Sequence, residues 1–327
     1  MSPAADVHEP VSTDPTILAL RKTLCSEDSQ LALRFRSLFS LKHLATHSND
    51  AASAQAAIDA IAAGFASPSA LLKHELAYCL GQTGKPAAEP YLKNVLENLN
   101  EDPMCRHEAA EALGALGNAS SLNVLRRFRD RPGEEVVVTE TCEIAIDRIE
   151  WENSEERKKE KLKQRQGALR FQTSVEELGK TLMDTSLPLF LRYRAMFALR
   201  DLASPPDLPT AVPAILALAR GLTQDKSALF RHEIAFVFGQ LSHPASIPAL
   251  TESLSNLEEA SMVRHEAAEA LGGLGDEAGV EDTLKKFLND KEKVVRESCI
   301  VALDMAEYEK SGETEYALIP DVTSAAA

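Results

Sequence analysis

The sequence predicts an all-α protein, an α-solenoid of helical hairpins, on three observations. A phrase of a basic residue, His and Glu recurs four times, as Lys73-His74-Glu75, Arg106-His107-Glu108, Arg231-His232-Glu233 and Arg264-His265-Glu266. The first two His are 33 residues apart, as are the last two, and the second pair follows the first by 158. From Thr16 onward Leu, Ala, Ile and Val recur at helical spacing, with two amphipathic stretches per repeat, and that is the period of a solenoid. Aromatic residues make up only 5% of the chain while Ala and Leu abound, a composition of helix formers rather than of sheets.

In chain order, residues 1–14 read as a disordered tail. Residues 15–150 form an N-terminal group of four hairpins whose second helices are marked by Arg34 to Leu41, His74 to Leu80, His107 to Leu113 and Glu140 to Ile146. First helices precede them, as in Tyr91-Leu92-Lys93-Asn94-Val95-Leu96. Asp102-Pro103 is a helix start, with Asp as N-cap and Pro in the first turn. Gly81, Gly114, Gly239 and Gly272 are expected to end helices, since glycine accepts the left-handed cap. Residues 151–170, rich in Glu, Lys and Arg and poor in apolar side chains, read as a charged linker, with a solvated connecting helix as the alternative. Residues 171–309 repeat the pattern, with second helices at Arg192 to Leu199, His232 to Phe238, His265 to Leu271 and Glu297 to Leu303, and 310–327 read as a loose tail. Arg106 to Gly114 recurs unchanged as Arg264 to Gly272, so the halves are copies related by a pseudo-twofold with a shared site between them.

The formal net charge is −15, from 50 acidic and 35 basic residues. That argues against a general nucleic-acid binder and favours cationic partners. The five Cys form no CxxC pair, so neither a disulfide framework nor a thiolate zinc knuckle is expected. No signal peptide and no membrane-spanning apolar run stand out. A soluble, cytoplasmic monomer is expected, with the nucleus also open to it.

Imidazole and carboxylate on a doubled grid point to metal binding. Neighbouring second helices in a solenoid lie about 8–10 Å apart, close enough for their His to converge on one atom. His and Glu at adjacent positions differ in direction by about 100°, so each Glu is either a ligand or a base beside the site. Four carboxylates balance two divalent cations, which makes a dinuclear centre the economical reading. The donor set suits iron or manganese best and leaves zinc open. The competing view is that His-Glu is a helix-opening habit of the repeat, since Glu favours a helix N-terminus. Restriction of the four copies to the inner two repeats of each half speaks against it, because Arg34, Glu140, Arg192 and Glu297 stand at that place in the outer repeats. Met104 and Met262, three residues before His107 and His265, either line a substrate pocket or pack in the core. Glu111 and Glu269, one turn after those His, are either ligands or solvated ion-pair partners. Gly81 and Gly239 either allow close approach of substrate or simply end helices. A non-enzymatic scaffold and a dinuclear hydrolase remain as other functions.

Eight HEAT-like hairpins in two groups of four, with His-Glu confined to the inner repeats, resemble the deoxyhypusine hydroxylase family over residues 16–309. The resemblance rests on Lys73-His74-Glu75 with Gly81-Gln82, Met104 to Gly114, Phe230 to Gln240 and Met262 to Gly272. It implies a monooxygenase with two Fe2+ ions and dioxygen as co-substrate. Its implied protein partner is the deoxyhypusine form of eukaryotic translation initiation factor 5A. His74, His107 and Glu108 would hold one iron, and His232, His265 and Glu266 the other. Glu75 and Glu233 would lie beside the metals as ligands or, more in keeping with the family, as catalytic residues gripping the cationic amine.

Overall fold

The computed structural model describes residues 14–155, 157–159 and 174–311. Among them no strand occurs, and the helices pair as hairpins in chain order. These are α1 (Pro15–Cys25) with α2 (Leu31–His47), α3 (Ala51–Ala63) with α4 (Ala70–Gln82), α5 (Glu89–Glu97) with α6 (Pro103–Leu116), and α7 (Leu122–Arg129) with α8 (Val136–Glu152). Then come α9 (Val175–Met183) with α10 (Leu189–Leu202), α11 (Ala211–Gln224) with α12 (Ala228–Leu241), α13 (Ile247–Ser255) with α14 (Ser261–Gly272), and α15 (Val280–Lys286) with α16 (Lys293–Ser311). No helix among the described residues is long and apolar enough to cross a membrane.

Local chemistry starts these helices. Asp14, the last residue of the expected N-terminal tail, caps α1 by accepting from the Thr16 backbone N–H at 2.8 Å. Residues 1–13 of that tail lie outside the described residues, as do 312–327 of the C-terminal one. Asp102 accepts from the Met104 N–H at 2.9 Å with Pro103 opening α6. Ser174 and Glu177 close a reciprocal capping box on α9. Of the expected linker, Trp151 and Glu152 still belong to α8, and residues 155 and 157–159 are helical as well. Its residues 156 and 160–170 lie outside the described ones.

Of the glycines expected to end helices, Gly272 is the last residue of α14, Gly81, Gly114 and Gly239 lie inside α4, α6 and α12, and none of the four has left-handed backbone. Gly114 lies inside α6, which runs on to Leu116 and ends at Gly117 in the left-handed conformation (φ 71°). A Cβ on Gly114 would sit 2.8 Å from the Ala145 Cβ, and one on Gly272 would sit 2.8 Å from that of Ala302. Glycine is therefore there so that α6 can touch α8, and α14 can touch α16, at backbone distance.

A buried arginine ties successive repeats together. Arg34, Arg106, Arg192 and Arg264 each donate from Nε to the carbonyl ten residues earlier, of Leu24, Leu96, Leu182 and Leu254. The guanidinium forks of Arg106, Arg192 and Arg264 then reach Glu134, Asp225 and Asp290 of the next repeat, while that of Arg34 binds Glu27 of its own hairpin and reaches the next repeat at the Ser67 hydroxyl, 3.0 Å away. This common pattern shows that Arg34 and Arg192 match Arg106 and Arg264, not the histidines. Phe35 and Tyr193 hold the histidine place in those outer repeats, which corrects the register read from the sequence.

The first and last repeats of each half meet across the molecule. Arg36 binds Asp304 at 2.7 Å and stacks 4.7 Å over the Tyr308 ring, while at the matching place Arg194 stacks 4.1 Å over Trp151. The Ser69 hydroxyl donates to Glu297 at 2.9 Å, and Ser227 to Glu140 at 2.7 Å. Each apolar core borrows from the other half: Val301 packs into the N-terminal cluster, and Met104 and Ile144 into the C-terminal one. The inner helices α4, α6, α12 and α14 are thereby enclosed.

Candidate metal centre

Ser69 caps α4 through the Leu72 N–H and Ser227 caps α12 through the Phe230 N–H, which fixes the turns that carry His74 and His232. The buried Arg106 and Arg264 fix α6 and α14 one residue before His107 and His265. All four imidazoles then point to one place. Ring centroids are 5.4 Å apart for His74–His107 and 5.5 Å for His232–His265. Across the halves they are 5.1 Å apart for His107–His232 and for His74–His265, and 5.7 Å for His74–His232. None of the four is more than 3% exposed.

Carboxylates surround this cluster. His74 Nε2 lies 3.3 Å from Glu108 Oε2 and His232 Nε2 lies 3.4 Å from Glu266 Oε2, repeated in the two halves. Glu75 and Glu233 lie on the other ring nitrogens, at 3.3 and 3.5 Å. Several of these approaches are close without hydrogen-bond alignment. His74 Nε2, His265 Nε2 and both nitrogens of His107 and of His232 are buried with no hydrogen-bond partner. An unsatisfied buried polar atom costs about 1–3 kcal/mol, so a cluster of them needs an explanation. A metal supplies one, since it takes up imidazole lone pairs in place of hydrogens. Ligand atoms of His232, His265 and Glu266 fall within 4.8 Å of one another, as do those of His107, Glu108 and Glu111, and those of His74, His107 and His232. The residues present fit a metal centre of nitrogen and oxygen donors.

The electrostatics are those of a crowded cage. Burial, and then the other three imidazoles, hold His107 well below its ordinary pKa, as the neutral form that a ligand requires. His265 is depressed by burial and by His74. For His232 burial opposes charge, but Glu233 and Glu266 outweigh it and raise it to about 10. Burial lifts Glu111 to about 8, helped by Glu233, and Glu269 to about 8, helped by Glu75. Burial and the Glu111 and Glu233 carboxylates push the Tyr193 phenol up, so it stays protonated.

All eight His and Glu expected at the site converge. A cavity of about 320 Å³ opens beside them, bordered by Glu75, Glu233, Phe35, Tyr78, Phe236 and Met305 among others. Gly239 borders it too. Gly81 does not: an added Cβ would lie 2.8 Å from Ala112 Cβ, so its work is helix contact. Met104 and Met262 do not line it either, because both are buried in an apolar core. Glu111 and Glu269 are not solvated ion-pair partners: Glu269 lies 3.4 Å from His265 Nδ1, and Glu111 lies 3.0 Å from the Tyr193 hydroxyl. Sequence reasoning passed over Tyr193, Phe35, Tyr78 and Phe236. The 158-residue offset carries the signal, since it pairs Phe35 with Tyr193 and Tyr78 with Phe236.

The HEAT-repeat family pattern matches residues 58–143 and 215–304. The deoxyhypusine hydroxylase of Gibberella zeae is 69% identical over 338 residues, covering all of both chains. That of Neurospora crassa is 73% identical over 321 residues, covering 95% of this chain and 99% of its own. The solved structure of human deoxyhypusine hydroxylase in complex with glycerol superposes with a TM-score of 0.74 at 41% identity, over 89% of this chain and 96% of its own. Identity at this level, together with helical repeats enclosing a metal-competent His/Glu cage, places the chain in the deoxyhypusine hydroxylase family.

Proposed function

We propose that this protein hydroxylates the deoxyhypusine side chain of eukaryotic translation initiation factor 5A, forming hypusine, with two Fe2+ ions and dioxygen. The observation that carries the metal assignment is the cluster of buried imidazole nitrogens without partners, ringed by carboxylates. His74, His107 and Glu108 would hold one ion, and His232, His265 and Glu266 the other. Bound iron would supply activation of dioxygen, of which one atom enters the substrate. The chain's own residues do the rest. Glu75 and Glu233 flank the imidazoles and border the cavity, where a carboxylate attracts an alkylammonium chain. Phe35, Phe39, Tyr78 and Phe236 give that cavity an apolar wall that suits the methylenes of such a chain and excludes water. A net charge of −15 draws a cationic group toward the protein. We further expect a cytoplasmic monomer, with the nucleus also open to it.

Elemental analysis of the purified protein tests the centre, with about two irons per chain expected and a loss of iron in His107→Ala and Glu266→Ala. Incubation of the deoxyhypusine-containing factor with enzyme and reductant tests the reaction. Hydroxylated product under oxygen and none under argon is the expected result, whereas a cleavage product formed equally under argon would indicate a hydrolase instead.

A further inference from the structure

The 158-residue duplication gives the metal cage two equivalent approaches, and among the described residues only one is open. The open side is the cavity of about 320 Å³ bordered by Phe35, Val301 and Met305. Its counterpart is a space of about 10 Å³ bordered by Tyr193, Ile144 and Arg148. With the offset of 158, or 157 near the C-terminus, these residues pair one to one: Phe35 with Tyr193, Val301 with Ile144, Met305 with Arg148. At these three pairs the closed side carries the larger side chain.

The closure is also bonded. The Tyr193 hydroxyl lies 3.0 Å from Glu111 Oε1 and 3.2 Å from Glu233 Oε2. Phe35, at the matching place, has no hydroxyl with which to reach Glu269 or Glu75. Arg148 borders the same small space and puts a cation near Glu111. The consequence shows in accessibility: Glu75 is 7% exposed and Glu233 only 1%.

We propose that Tyr193, with Arg148, is the stopper that gives a duplicated metal cage a single entrance, so that an alkylammonium chain enters past Phe35 and Met305. Glu75 and Glu233 both border that cavity, and Glu233 is in addition held with Glu111 by the Tyr193 hydroxyl, a contact that Phe35 cannot give Glu75. The alkylammonium character of the entering group rests on the function proposed above, whereas the one-sided opening does not.

Exchanging the two mouths tests this. Phe35→Tyr with Met305→Arg puts the stopper residues on the open side. Adding Tyr193→Phe, Arg148→Met and Ile144→Val then opens the other. Two readouts are taken on the metal-loaded full chain, with melting temperature and metal content as controls for folding: calorimetric affinity for 1,4-diaminobutane, and the rate at which a small chelator strips the metal. The stoppered variant should lose about tenfold or more in diamine affinity and shed its metal more slowly. The five-fold variant should recover both. Wild-type behaviour of the stoppered variant, or a folded five-fold variant that stays closed, overturns the proposal. Should the stoppered variant not fold, Tyr193→Phe alone decides. That change leaves Arg148 and Ile144 in the closed mouth and should leave diamine affinity within about twofold, whereas a loss of tenfold or more would put Tyr193 on the substrate path. If the wild type binds no diamine, the substrate class is wrong, and the chelator rates still decide which mouth is open.

Discussion

Glu134→Ala is expected to be among the most damaging single changes remote from the His/Glu cage. Arg106 donates from both terminal nitrogens to the two Glu134 oxygens, each at 2.7 Å, and from Nε to the Leu96 carbonyl at 3.1 Å. The two side chains are 4% and 2% exposed. Removing the acid leaves a buried guanidinium without its counter-charge, which costs about 3–5 kcal/mol. The surface pair Arg126–Glu150 has the same 2.7 Å contact but is 44% and 51% exposed. Truncating Glu150 should cost no more than about 1 kcal/mol. Urea unfolding of the two variants beside the wild type measures the contrast. The pair also predicts a pH signature. The Arg106 guanidinium, more than any other group, pulls the Glu134 carboxyl down to about 2 from an ordinary value of 4.5. A carboxyl depressed in the folded state stabilises above its unfolded pKa, and that stabilisation is lost as pH falls through the folded value. Wild-type protein should therefore lose stability between about pH 4.5 and about pH 2 in a component that Glu134→Ala lacks. Equal losses from Glu134→Ala and Glu150→Ala would refute the view that burial gives this pair its weight.

Other expectations follow from the same geometry. Gly114→Ala should cost about 1–3 kcal/mol by overpacking, because its Cβ would meet Ala145 Cβ at 2.8 Å. Gly239→Ala, with Ala270 no nearer than 3.5 Å, should cost less than about 1 kcal/mol, and paired melting curves compare the two. Asp102→Ala removes the cap of α6 and should cost about 0.5–2 kcal/mol of unfolding free energy. Loading Fe2+ should raise the melting temperature, and chelation should lower it again. Metal at 100 times its Kd adds about 2.7 kcal/mol to the folded state, and an unchanged melting temperature would deny the cage a resident metal.

Much of the fold is legible in the sequence because a solenoid repeats its physics. Apolar spacing marks each helix, and the His-Glu phrase places the second helices of the four inner repeats to within a turn. What misled was the assumption that each feature of the repeat has one meaning. Glycine near a helix end reads as a cap, yet Gly114 and Gly272 are packing sites, and only the partner helix reveals this. The basic residue before His reads as part of a metal phrase, yet Arg106 and Arg264 face away from the cage and hold the next repeat. Adjacent residues on a helix point about 100° apart, so one tripeptide serves two neighbours at once. Ignoring that rotation shifted Arg34 and Arg192 by one place and hid Phe35 and Tyr193.

The cage was legible for a further reason. Eight His and Glu in a duplicated pattern must meet if the halves face each other, whatever the details of packing. Glu111 and Glu269 were harder. Glu on an exposed helix face is ordinary, and only the tertiary fold brings Glu111 to the Tyr193 hydroxyl and turns Glu269 toward His265. Asymmetry was hardest of all, because duplication argues for sameness. The differences that break it are single groups: a hydroxyl on Tyr193, a guanidinium at Arg148 where Met305 stands opposite, a methylene between Ile144 and Val301. Each is small against the identity of Arg106 to Gly114 with Arg264 to Gly272. Together they separate a cavity of about 320 Å³ from one of about 10 Å³. In a duplicated protein the shared residues therefore tell what the site is, and the unshared ones tell from which side it is used.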